Sequence, residues 1–211
     1  MAKKNTEKSL KDTIIEASLR LAAAESWSNI SFEQIILAAQ LDRLEVQEYF
    51  DDKTDILVAY GRRIDARLFK ELSLDEGMSE RERVFDILME RFDILNEDRE
   101  AVLSILGSIK YDPKEAILTF PHLAKSMTRV LEAAGIDTEG LKGAAQVAGL
   151  VGVYLYVVRT WKEDESSDMA KTMAALDKAL DYAESTANSL LNGNVLSGIG
   201  GICSKFKGDE N

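Results

Sequence analysis

The chain offers few side chains suited to covalent or metal chemistry. Its single histidine, His122, and single cysteine, Cys203, cannot form an internal disulfide, a Cys/His metal site or a histidine pair. His122 follows Pro121 at a helix start with no partner motif and reads as a surface or pocket-lip residue. Cys203 reads as an apolar tail position. Gly198-Ile-Gly200-Gly201 lacks the preceding strand, and the following helix with an acid, that a dinucleotide fingerprint requires. No carboxylate pair, nucleophile–base pair or metal cluster stands out, so neither an enzyme nor a cofactor is expected. What remains is recognition chemistry: Arg43 and Gln47, on one short segment, are side chains that pair with guanine and adenine edges respectively.

The segments around them are helical by pattern, and the expected fold class is all-α. Leu10 to Glu25 places Ile14, Ile15, Leu19, Leu21 and Ala22 on one face. Ser31-Phe-Glu-Gln34 is a capping box opening a short helix to about Ala39, Gln40-Leu41 makes a turn, and Asp42 is an N-cap for Arg43 to Tyr49. Asp51-Asp52 then caps a longer helix through Ile56, Leu57, Tyr60, Ile64 and Leu68. Three helices of about 16, 8 and 7 residues within the first 50, the last two joined by a tight turn, make a helix-turn-helix unit. A larger bundle follows. Ser79-Glu-Arg-Glu82 is a second capping box, Glu97 to Lys110 a further helix, and Asp112-Pro113 starts another that Pro121 kinks or splits and Gly135 ends. Leu141 to Trp161 is the most apolar helix, and Met169 to Leu191, after an acidic loop, is the last long one.

Charge constrains how such a unit could meet DNA. The 211 residues carry 26 Lys+Arg against 37 Asp+Glu, a formal net charge of −11. That balance repels phosphate, so DNA binding requires a locally basic patch. Around Arg43 stand Asp42, Glu45, Glu48, Asp51 and Asp52, while Lys3, Lys4, Lys8 and Lys11 could form a basic arm. Two readings of Asp42 to Phe50 follow: a base-reading helix, or a retained helix whose DNA surface has decayed. The uncharged run Gly143 to Val158 is 16 residues, short of the roughly 20 a spanning helix needs, and the polar start carries no signal-peptide pattern. A reduced, cytoplasmic setting is the expectation.

The stretch IIEASLRLAAAESWSNISFEQIILAAQLDRLEVQEYFDDKTDILVAY, Ile14 to Tyr60, resembles the head of the TetR family of ligand-responsive transcriptional regulators. The face of Ile14, Ala17 and Leu21, the Trp27-to-Ser31 lead-in, Gln34-Ile35, Ala39, Tyr49-Phe50, Lys53 and Leu57 sit at that family's spacings. The resemblance implies a DNA-binding head over residues 1–55, with Ser31, Arg43, Gln47, Tyr49 and Lys53 on DNA, and a ligand and dimer bundle over 56–190. Where the family's turn carries glycine this chain has Gln40, and its recognition helix offers Leu44, Glu45, Gln47 and Glu48. The family's architecture implies a homodimer through the last two long helices, and an apolar effector in the bundle. Phe85, Met89, Phe92, Phe120, Met127 and Tyr154 are candidate lining residues, with filled core the competing reading, and Arg91, Arg99, Arg129 and Arg159 are candidate partners of a ligand carboxylate or of an acid on a neighbouring helix.

A second resemblance concerns Arg91 to Val102 and Trp161 to Asp177, which are similar to a TetR-fold lipid-binding family that assists ubiquinone biosynthesis and has lost its DNA contacts. It implies a lipid ligand and peripheral docking on the inner membrane face. Leu191, Val195, Ile199, Ile202 and Phe206 in the tail 191–211 are spaced 4, 4, 3 and 4 apart, one apolar stripe if helical. Gly193, Gly198, Gly200 and Gly201 oppose stable helix there in water, and a frayed tail is the competing reading.

Overall fold

The computed structural model describes residues 2–75, 77–109 and 113–191. Among these the chain is all helical: α1 Ala2–Ala24, a 3-10 turn Trp27–Asn29, α2 Phe32–Ala39, α3 Arg43–Gln47, α4 Lys53–Glu71, α5 Glu80–Glu97, α6 Arg99–Ile109, α7 Pro113–Ala133, α8 Gly140–Glu163 and α9 Ala170–Leu191. It divides into two compact units, residues 1–137 and 138–211. The head therefore belongs to the same unit as α4 to α7.

The starts of these helices follow from their caps. Ser31 and Ser79 each close a reciprocal box: the hydroxyl accepts the N–H of Gln34 or Glu82, whose side chain accepts the N–H of the serine. Asp42 accepts from the amides of Leu44 and Glu45, and Asp52 from those of Thr54 and Asp55. Four details differ from the sequence-based expectation. α1 begins at Ala2 rather than Leu10, because a polar lysine-bearing stretch propagates an existing helix without needing an apolar face. α3 ends at Gln47, two residues early. Asp98 separates α5 from α6, so α6 starts at Arg99. α7 runs through Pro121 unbroken, since a proline removes one main-chain hydrogen bond and the surrounding turns carry the helix across.

In the first unit, α1 packs on α2, α4 and α6, and α4 packs on α5 and α7. Ile14, Trp27, Ile35, Val46, Leu68, Ile87, Leu88, Phe92, Met127 and Val130 are fully buried there. The Trp27 amide donates to Ser104 Oγ at 2.9 Å, and that hydroxyl donates to the Glu25 carbonyl, which ties the 3-10 turn to α6.

In the second unit α8 and α9 form a pair, with Leu150, Tyr154, Val157, Trp161, Leu176 and Leu180 buried. Among the described residues α8 is the one helix long and apolar enough to cross a membrane by length and composition, its charged ends extending the uncharged run to 24 helical residues. Gly143 is a local requirement, because a Cβ there would lie 2.0 Å from the Thr138 carbonyl carbon. The α8–α9 connection is organised by Asp164, 2% exposed. Its carboxylate accepts the amide and hydroxyl of Thr172 at 2.8 and 2.7 Å, and those of Ser166 at 3.1 and 2.5 Å. Burial alone would push this carboxyl up; the hydrogen bonds from Ser166 and Thr172 outweigh it and hold it well below the usual carboxylate range.

A carboxyl lowered in the folded state adds stability above its unfolded pKa, and that stability is lost as pH falls through the folded value. Asp164→Asn is expected to cost about 1–3 kcal/mol at neutral pH in urea unfolding. The gap to the parent protein should narrow as pH drops below about 4.

Candidate nucleic-acid interface

The head is built so that α3 stands out from it. Gln40 closes α2 in the left-handed conformation, φ 56°, with its amide on the Ile36 and Leu37 carbonyls, and the chain leaves at a sharp angle into the Asp42 cap. A residue with a Cβ carries a steric cost of roughly 1 kcal/mol there, which explains why glycine is the commoner choice at such a turn. Val46, fully buried, anchors the inner face of α3 and leaves Arg43, Leu44, Glu45, Gln47 and Glu48 exposed.

The five residues expected on DNA have distinct places. Arg43 and Gln47 lie together on the outer face of α3. The Arg43 guanidinium is paired with Glu33 of α2, a partner that sequence reading did not single out. Tyr49 is half-buried beneath the Lys11 ammonium, 4.8 Å from its ring centre. Ser31 is the α2 cap. Lys53, in the first turn of α4, donates to the Trp27 and Ile30 carbonyls at 3.0 and 3.3 Å and lies 5.0 Å from the Trp27 ring. It holds the lead-in to α2 against α4. Leu37 and Leu44, 75% and 74% exposed, add an apolar element to the same head.

A second candidate site lies further along α4. Between α4 and α7 a cavity of about 370 Å³ is walled by Arg62, Asp65, Arg91, Lys125, Ser126 and Arg129, with Leu57, Val58 and Leu123 supplying apolar surface. Asp65, 5% exposed, accepts from Arg91 at 2.5 Å and from the Ser126 hydroxyl at 2.7 Å, and its other oxygen lies 3.7 Å from Arg129. Another cleft, of about 600 Å³, runs between α1, α4, α5 and α6. It is bordered by the forked Arg67–Glu97 pair, at 2.5 and 2.6 Å, and by Tyr60, whose hydroxyl donates to Asp98.

The apolar lining expected from sequence falls elsewhere. Phe92 and Met127 are filled core, Phe85 and Met89 are half-buried, and Phe120 is 52% exposed. Tyr154 is buried in the second unit. Of the four arginines singled out, Arg91 and Arg129 line the α4–α7 cavity. The signal for it was Asp65 itself, an acid beside Ile64 on the buried face of an amphipathic helix. Of the membrane-docking stripe, the Leu191 side chain and Val195, Ile199, Ile202 and Phe206 lie outside the described residues.

A TetR transcriptional regulator from Nitrosomonas europaea ATCC 19718 matches over 82% of this chain and 97% of its own, with a TM-score of 0.66 at 23% identity. The fold is the TetR fold. A TetR regulator from Rhodococcus sp. RHA1 matches over 82% of this chain and 96% of its own, with a TM-score of 0.53 at 14% identity. A protein of Syntrophomonas wolfei described as TetR-family matches over 85% and 95%, with a TM-score of 0.58 at 15% identity. No protein-family model and no curated relative matches the sequence. α2, the Gln40 turn and α3 have the order and geometry of a helix-turn-helix unit.

The Gln40 backbone makes a direct stability prediction. Gln40→Gly is expected to stabilise the protein by about 0.5–1 kcal/mol in urea unfolding, the relief of left-handed strain exceeding the added freedom of the unfolded chain. Gln40→Val, β-branched at the same φ, should destabilise it.

Proposed function

We propose that the protein is a ligand-responsive transcriptional regulator that binds duplex DNA as a homodimer, with the α2–α3 head in the major groove. The observation that supports it most is α3: an exposed helix, fixed by the Gln40 turn and the Asp42 cap, that offers Arg43 and Gln47 side by side within a fold shared with TetR regulators. The Arg43–Glu33 pair is on the surface, where ion pairs contribute little, so exchanging Glu33 for a guanine edge or a phosphate is cheap. The acids around it make DNA binding weaker and more salt-sensitive than a basic head would give.

Dimerisation is supported by the exposed side of α8. Leu141, Ala145, Ala148, Gly152 and Leu155 recur every three or four residues and are all exposed, Leu141 at 89% and Leu155 at 49%. Gly149 and Gly152 face open space, and Met173 of α9 is 43% exposed. Small residues flanked by leucines suit close approach of a second copy's helices. Response to a ligand is supported by α4, which spans both sites: Lys53 holds the head's lead-in, and Arg62 and Asp65 wall the cavity ~14–18 Å further along. A ligand that shifts α4 against α7 shifts the head with it.

Binding to duplex from the gene's own upstream region, followed by fluorescence anisotropy across a salt series, tests the reading. Affinity should fall steeply with salt, and Arg43→Ala should weaken it by about 1–3 kcal/mol. Changing Ile199 and Ile202 to Asp should leave it intact. A flat response at micromolar protein overturns the reading and favours the lipid-binding alternative. In sedimentation velocity the parent protein should run as a dimer and Leu155→Asp as a monomer with weakened DNA binding.

A further inference from the structure

The α4–α7 cavity has the opposite charge sign to the molecule that contains it. The chain's formal net charge is −11, yet the cavity wall carries four cationic side chains, Arg62, Arg91, Lys125 and Arg129, against the single carboxylate of Asp65. Asp65 is fully occupied by Arg91, Ser126 and Arg129. Arg62 and Lys125 have no ion-pair partner among the described residues, and Arg129, 47% exposed, reaches Asp65 only at 3.7 Å. Each arginine presents a planar fork of N–H donors, and a single distant contact leaves most of that fork unused.

Unneutralised cations close together repel one another, a cost that a bound anion removes. The remaining wall is Gly61, Thr119, His122 and Ser126 together with the aliphatic side chains of Leu57, Val58 and Leu123, and these last three can cover a short hydrocarbon part. About 370 Å³ is in the range of small-ligand sites.

The geometry points to an amphipathic organic anion as the occupant: a carboxylate held by Arg62, Lys125 and Arg129, with a short apolar tail against Leu57, Val58 and Leu123. Asp65 is a positioning residue. It fixes Arg91 and leans Arg129 toward the cavity, and it excludes a second carboxylate from the inner end, so the ligand's charge stays at the mouth. The ligand class combines the apolar effector and the arginine-paired carboxylate that the sequence suggested, with Arg129 the member of that arginine set placed against the ligand. Any effect on DNA rests on the regulator reading above, whereas the binding step does not.

Isothermal titration of the full chain in the absence of DNA tests it. The arms are sodium octanoate, octan-1-ol as the neutral match, octylamine as the cationic match, and sodium phosphate as the free anion. Octanoate should bind saturably at least tenfold tighter than octan-1-ol and phosphate, and octylamine should not bind. Arg62→Gln and Arg129→Gln, at exposed positions compatible with folding, should each weaken octanoate about tenfold, and Arg129→Lys should recover part of the loss. Absence of saturable octanoate binding up to millimolar concentration overturns the proposal, as does equal binding of octan-1-ol, equal binding of phosphate, or unchanged affinity in both glutamine variants. Failure of DNA binding with octanoate binding intact removes the regulator reading alone. Intact DNA binding with no octanoate binding removes only the ligand assignment.

Discussion

A carboxylate 5% exposed among three helices is the constraint from which most of the first unit follows. Burial of Asp65 on α4 is compensated by donors, which Arg91 of α5 and Ser126 of α7 supply. An uncompensated buried charge costs about 3–5 kcal/mol, so these three helices hold one relative arrangement rather than sliding over an apolar seam. The same pairing fixes which way the neighbouring cations point, and the cavity between α4 and α7 inherits its charge from that choice. On the proposed ligand reading, structural and recognition roles meet at one cavity.

Two surfaces of contrasting sign sit at different positions along α4. At its start the head is crowded with Glu33, Asp42, Glu45, Glu48, Asp51 and Asp52, and Arg43 is tied to Glu33. Further on, the cavity wall gathers four cations, of which Arg62 and Lys125 have no ion-pair partner among the described residues. This contrast agrees with the proposed reading, in which DNA affinity is modest and the ligand is an anion.

Local signals in the sequence were strong wherever one residue type satisfied one backbone need. Ser31 with Gln34, Ser79 with Glu82, Asp42 and Asp52 all cap the helices their spacing implied, and the all-helical class follows from the same periodicity. Long-range pairings were not legible. Nothing in the local pattern connects Glu33 to Arg43, ten residues apart on different helices, or brings Ser126 to Asp65 across 61 positions. Aromatic and methionine residues read as cavity lining because helical periodicity cannot separate a filled core from a hollow one; Phe92 and Met127 fill space. The start of α1 was missed because helix propagation through polar residues leaves no amphipathic trace.

The glycines of α8 bear on how the second unit behaves with concentration. A Cβ at Gly149 or Gly152 would meet no neighbouring atom within 4 Å, so within one chain these glycines cost helix propensity, about 1 kcal/mol each relative to alanine, without any packing return. Only a surface brought against them from outside recovers that loss. On the proposed dimer, order in α8 and self-association are linked equilibria: dilution should loosen this helix before it disturbs the head, and thermal midpoints should rise with protein concentration.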